Sequence, residues 1–135
     1  MTYEEWLAGV PEAIKRDPFW RFEAYPKALL LFDLAWEDCE KLMRDSRGRE
    51  LARQLIRSVG SISANIDEGF GRGVDRGEYA QFLRYALGSP RETRSWSFKS
   101  RRLLPEQVVD HRTALCGEVV ALLVTTINRH RRARD

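Results

Sequence analysis

The sequence predicts an all-α protein: an antiparallel up-down four-helix bundle with a short N-terminal accessory helix. Three observations carry this. Four long stretches repeat apolar residues every three or four positions, the period of a helix with one buried face. Clusters of Gly, Pro, Asp and Ser separate them. The 135 residues are 43% hydrophobic and 32% charged, a soluble balance with charge on the high side, and one domain of this length can bury a sizeable core.

Residues 1–25 form the accessory segment and residues 26–135 the bundle. Thr2 has Glu5 three positions on, the spacing of a capping box. Pro11 either ends this first helix or begins a second turn, and Asp17-Pro18 marks a break. Trp6, Phe19, Trp20 and Phe22 supply the apolar surface that packs the segment onto the body.

The first long helix is expected from about Pro26 to Arg44, because proline suits a first helical turn. Its apolar stripe is Leu29, Phe32, Leu34, Trp36, Cys39, Leu42 and Met43. Asp45 to Gly48 reads as a turn. The second helix starts with Ser46 or Arg47 near its cap and runs to about Phe70. Leu51, Leu55, Val59, Ile62 and Ile66 form its packed seam. Its centre is small: Ser58, Gly60, Ser61, Ser63 and Ala64. Glycine inside a helix costs about 1 kcal/mol against alanine, so close approach of a neighbouring helix is expected there.

The third helix is expected from about Asp75 to Leu103, with Tyr79, Phe82, Leu83, Ala86 and Leu87 facing the core. Gly88-Ser89-Pro90 should interrupt it with a kink at 86–90, after which it resumes through Trp96 and Phe98, because a proline removes a backbone hydrogen bond and clashes with the carbonyl four residues back. Pro105 and Glu106 open the fourth helix. Val108, Leu115, Val119, Leu122 and Thr126 make its core seam. Residues 119–124 are apolar nearly all round, and a helix apolar on every side must be buried on every side. Val120, Leu123, Val124 and Ile127 are therefore expected to form a homo-oligomer interface, with cover from the N-terminal segment or a residual exposed patch as the alternatives.

Composition excludes several classes. No run reaches the roughly 18–20 apolar residues of a membrane span. Glu4 and Glu5 stand where a secretory signal would be basic, so a cytoplasmic protein is expected. Cys39 and Cys116 read as two buried thiols, with a disulfide as the alternative.

Charge is distributed unevenly. Residues 1–43 hold 5 basic and 9 acidic side chains, and residues 44–135 hold 18 and 11. Such asymmetry suggests a basic face turned toward phosphates or an acidic partner; the alternative is an ordinary solvated surface. Arg91, Arg94, Lys99, Arg101 and Arg102 lie along the second half of the third helix, and Arg91, Arg94 and Arg102 share one helical face. Arg129, Arg131 and Arg132 end the fourth. Arginine suits bidentate phosphate contacts. In an antiparallel bundle the two clusters fall at opposite ends unless a bend or an assembly joins them.

One motif pair is specific. Ser61-Ile62-Ser63-Ala64-Asn65-Ile66-Asp67-Glu68-Gly69-Phe70-Gly71-Arg72 is followed by Phe82-Leu83-Arg84-Tyr85-Ala86-Leu87-Gly88-Ser89-Pro90-Arg91-Glu92. It resembles the four-helix-bundle family encoded in intervening sequences of bacterial 23S ribosomal RNA genes, over about residues 26–130. The accessory variability protein of diversity-generating retroelements is similar to that family. Asp67 stands where the family pattern has alanine, and Pro90 where it has a helix former. The resemblance implies an antiparallel four-helix bundle without enzymatic activity. Through the retroelement accessory protein it implies a homopentamer whose positive surface engages nucleic acid and a reverse transcriptase; a ribosomal partner is the other setting.

The motif's polar and glycine positions are Asn65, Glu68, Gly69, Arg72, Gly88, Ser89 and Glu92. Asn65 and Glu68 share a helix face, as do Ser89 and Glu92. A hydrogen-bond network across facing helices is the expected role; a carboxylate pair acting as acid/base or holding a metal is the alternative. Bundle di-metal sites use Glu-x-x-His pairs, and His111 and His130 sit in no such motif. The glycines at 69, 71, 73 and 77 follow no strand and precede no Gly-Lys-Ser/Thr, so they read as a helix end and turn. No catalytic residue, metal site or cofactor is expected. The sequence-level reading is a non-enzymatic, oligomeric nucleic-acid-binding bundle, with a protein-interaction scaffold as the alternative.

Overall fold

The computed structural model describes residues 1–73 and 77–134. Helix α1 (Tyr3–Ala8), helix α2 (Glu12–Lys15) and a 3-10 turn (Pro18–Arg21) precede four long helices: α3 (Ala24–Leu42), α4 (Ser46–Gly71), α5 (Gly77–Lys99) and α6 (Glu106–Arg134). Helices α3, α4, α5 and α6 each pack on the next, and α6 closes back on α3. Partners run in opposite order along the chain. Ser58 meets Thr93 and Ser61 meets Ser89 between α4 and α5. Lys27 meets Glu118 and Asp38 meets Arg112 between α3 and α6. The bundle is therefore antiparallel, as the apolar periodicity predicts.

Local chemistry sets the helix boundaries. The Thr2 hydroxyl accepts from the Glu5 amide at 3.1 Å and starts α1. Pro11 caps α2 rather than ending α1. The Asp17 carboxylate accepts from the Phe19 amide at 2.9 Å and starts the 3-10 turn. α3 begins at Ala24, so Pro26 sits in the first turn, where a missing N–H costs no helical bond. α4 begins at Ser46, as expected, with Asp45 as its cap: the Asp45 backbone is extended and its carboxylate accepts from the amides of Arg47 and Gly48 at 2.8 and 3.1 Å. The expected start of the third helix at Asp75 lies outside the described residues.

Three sequence-level expectations change. First, α5 is not interrupted; Pro90 lies inside it, fully buried. Packing of α5 on both α4 and α6 holds the halves in one helix despite the lost bond at the Ala86 carbonyl. Second, Trp36 and Met43 are not core residues; they are 60% and 56% exposed. Smaller residues of α3, Ala24, Ala28 and Ala35 with Leu31 and Leu42, fill the centre. Third, the faces of α6 are displaced from the expected ones. Leu123 and Ile127 are buried within the subunit, Val120 is half-buried, and Val124 alone of the four is exposed. Val109, Cys116 and Val119 complete the seam, while Val108, Leu122 and Thr126 are half-buried. A stretch apolar on all sides carries no phase from which to choose its inner face.

The N-terminal segment lies against α3. The Trp6 indole N–H donates to the Asp33 carboxylate at 2.8 Å, its ring stacks between Tyr3 and Trp20, and Phe19 packs on Phe70. Cys39 and Cys116 are buried free thiols. Among the described residues, no helix is long and apolar enough to cross a membrane.

Candidate nucleic-acid interface

The matched motif builds the α4–α5 contact, and of the expected polar residues Ser89 joins it across the helices while Asn65, Glu68 and Glu92 do not. The cross-helix network consists of hydroxyls. Ser61 Oγ meets Ser89 Oγ, and Thr93 Oγ1 lies 2.9 Å from Ser58 Oγ and 2.8 Å from the Ser89 carbonyl. Ser89, Thr93 and Ser97 are buried along one side of α5, and Ser100 is buried just past its end. Their 4, 4, 3 spacing was visible in the sequence as a helical stripe of small hydroxyls.

Asn65 donates to the Ser61 carbonyl on its own helix at 2.8 Å. Glu68 and Glu92 are exposed. Glu68 pairs with Arg72 at 3.5 Å, and Glu92 accepts from the Trp96 indole at 3.1 Å. The helix register puts Glu92 level with Ser58, about ten residues or ~15 Å along α4 from Glu68. The two carboxylates therefore do not form a pair. Arg72, at the end of α4, also reaches Glu78 at 3.3 Å and tops the Phe82 ring. Gly69 has a packing reason: a Cβ there would stand 3.0 Å from Phe82 Cβ. Gly88 has none inside the subunit, since a Cβ there meets nothing within 4 Å. A Cβ on Gly60 would stand an ordinary 3.5 Å from the Phe32 ring of α3, so the small residues that face a neighbouring helix directly are Ser58 and Ser61, against α5. Gly73 has φ 97°, the turn glycine that ends this region.

The basic residues separate into the two ends of the bundle. The side chain of Leu103 and the carbonyl of Leu42 both touch Gly48, so the α3–α4 and α5–α6 connections adjoin at one end. Lys99, Arg101 and Arg102 belong there, all exposed. Arg102 follows the end of α5 and so does not extend a helical ridge with Arg91 and Arg94. Arg91 is exposed midway along α5; Arg94 is half-buried near Cys116. The Tyr79 ring packs on His130, which puts Arg129, Arg131 and Arg132 at the far end. The two clusters thus fall on opposite ends of one subunit.

Arg44, Arg47 and Arg49 share the first end, and the sequence reading did not connect them with it. All three are exposed. The Arg49 guanidinium donates to the Met43 carbonyl at 3.2 Å, and Arg47 leans on Asp45 at 3.4 Å. Two aromatic rings at the same end carry cations: Lys99 lies 4.2 Å from the Trp96 centroid, and Arg101 4.3 Å from that of Phe98. Nothing in the sequence joins these segments, because they meet only through the helix pairing.

A second feature escaped the sequence reading: Asp38 and Arg112 form a buried ion pair between α3 and α6. Arg112 also lies 2.8 Å from His111 Nδ1. Burial, with the neighbouring guanidinium second, holds the His111 pKa below the usual range. Among the described residues, no group of three or more His, Cys, Asp or Glu could hold a metal ion.

Comparison with known proteins agrees with this architecture. A solved structure of a protein of unknown function from the S23 ribosomal protein family of Bacteroides thetaiotaomicron VPI-5482 is similar in fold. It is 22% identical, with a TM-score of 0.52, and the match covers 76% of this chain and 98% of that one. No curated protein matches. The family model for the 23S rRNA-intervening sequence protein matches residues 21–125, and the chain belongs to that family.

Proposed function

We propose that this protein is a non-enzymatic bundle that binds the backbone of RNA or DNA through its basic surface. The observation that carries the reading is the set of exposed arginines and lysines at the bundle ends that lack acidic partners. Arg44, Arg49, Lys99, Arg101, Arg102, Arg129, Arg131 and Arg132 take part in no salt bridge among the described residues. Cations without an acidic partner among the described residues are available to phosphates, and binding of this kind releases counterions and weakens steeply with salt. No sequence-reading motif is present, so contacts fall on backbone and shape rather than base edges. Assembly into a homo-oligomer, a pentamer by resemblance, multiplies the same contacts; a reverse transcriptase or a ribosomal component is the partner the resemblance suggests.

Filter binding against ionic strength tests the proposal. Micromolar or tighter binding with a steep salt dependence supports it; no binding at low salt removes it.

A protein-interaction scaffold is the second reading. Trp36 and Met43 favour it, exposed beside Ile56 on the groove between α3 and α4. A pull-down that recovers a protein and no nucleic acid selects it.

A further inference from the structure

We infer that the end of the bundle formed by the α3–α4 and α5–α6 connections is a binding surface for single-stranded nucleic acid. In this role Arg44 and Arg102 contact phosphates and the Phe98 ring stacks a base. The inference rests on the proposed nucleic-acid function and assigns it to one place.

Charge alone would suit a duplex as well as a single strand. The aromatic residues make the distinction. Phe98 is 53% exposed in the last turn of α5, where a bundle gains nothing by presenting a bare ring to water. One face of the ring carries the Arg101 guanidinium. That arrangement leaves a platform on which a base can stack, with a cation already in place for the neighbouring phosphate. A base in the interior of a duplex is stacked on both faces, so along its length a duplex uses the arginines and leaves Phe98 idle.

The surface draws on two connections that the fold places side by side, joined at Gly48, Leu42 and Leu103. Glu40 and Glu50 are exposed on the flanking turns of α3 and α4. Asp45 is occupied in capping α4 and holding Arg47, and Glu106 lies in the first turn of α6. The far-end cluster, Arg129, Arg131 and Arg132, has no Phe, Tyr or Trp within its run of α6; on α5 the exposed Tyr85 is held by Gln81, and the Phe82 ring is topped by Arg72. The far-end cluster serves as the internal comparison.

The test is fluorescence anisotropy with a labelled 20-nucleotide oligo-uridine and with a blunt duplex of mixed sequence, across a salt series. The Arg44→Glu/Arg102→Glu variant should weaken single-strand binding at least tenfold. It should also lower the salt slope by about 0.7 for each arginine removed. Phe98→Ala should weaken single-strand binding about tenfold and leave the duplex unchanged. Arg129→Glu/Arg131→Glu should change either by less than twofold. Circular dichroism confirms that each exposed substitution leaves the helices intact. If wild type binds but reversal at either end has the same effect, the surface is misassigned while the nucleic-acid function stands. Equal loss on duplex and single strand in Phe98→Ala, or no loss on either, overturns the stacking assignment. Failure of the wild-type protein to bind at 20 mM salt removes both the surface and the function it rests on.

Discussion

Asp38 on α3 and Arg112 on α6 form a bidentate ion pair, Nε to Oδ2 at 2.8 Å and Nη2 to Oδ1 at 3.0 Å, with side chains only 5% and 11% exposed. Removing one partner strands the other charge in the core. Asp38→Ala and Arg112→Ala should each cost about 3–5 kcal/mol in urea unfolding. The double variant Asp38→Leu/Arg112→Met should lose much less than either single one. A buried pair is costly chiefly when broken, because desolvation has already offset its attraction.

His111 gives a pH dependence whose sign follows from its lowered pKa. The unfolded chain takes up the proton first as pH falls below the usual histidine value of about 6.5. Stability should therefore fall through that window and level off below the folded-state pKa. His111→Gln should flatten this part of the profile, measured as urea midpoints between pH 7.5 and 4.5.

The helical glycines divide by their surroundings. A Cβ at Gly48 would enter the Leu42 carbonyl and lie 2.9 Å from Leu103 Cδ1. Gly48→Ala should destabilise by roughly 1–3 kcal/mol, as overpacking does. Gly88 and Gly117 face open space, so alanine there should stabilise by about 0.5–1 kcal/mol each. Thermal melts of the three variants separate the cases. A loss of stability in Gly88→Ala would show that Gly88 is needed for contact with another molecule.

The hydroxyl seam predicts coupling across α4 and α5. Thr93→Val and Ser58→Ala should each cost about 1 kcal/mol, the net value of a buried hydrogen bond. The double variant should fall short of the sum by at least ~0.5 kcal/mol, since both remove the same contact.

Both thiols should be inert in the native protein. Burial pushes Cys39 up to about 11 and Cys116 up to about 12, and the thiolate is the reactive form. A thiol reagent at pH 7.5 should titrate no cysteine until denaturant is added, and two afterwards.

Much of the bundle was legible because long helices announce themselves locally. The seam Leu55, Val59, Ile62 and Ile66 is buried as its spacing predicts, and only Leu51, at its outer end, is half-buried. The Thr2 cap and the placing of proline in the first turn of α3 are also local chemistry. Where a helix is apolar on all sides the period gives no phase, and so the roles of Leu122 and Leu123 were exchanged. Trp36 misled for a different reason. It fits the α3 stripe, but the interior is filled by alanines that let the helices come close, and the large ring is left outside.

By itself, then, the sequence determined the four long helices, their order and the inner seam of α4, because periodicity, caps and turn residues act over a few positions. Only the tertiary structure decided which distant residues meet. Asp38 and Arg112 are 74 positions apart, and no local rule pairs them. The same holds for the basic end, where Arg44 and Arg102 come to one end of the bundle because the two connections adjoin. An interaction surface assembled from separate segments is set by the pairing of the helices, and no single segment carries it.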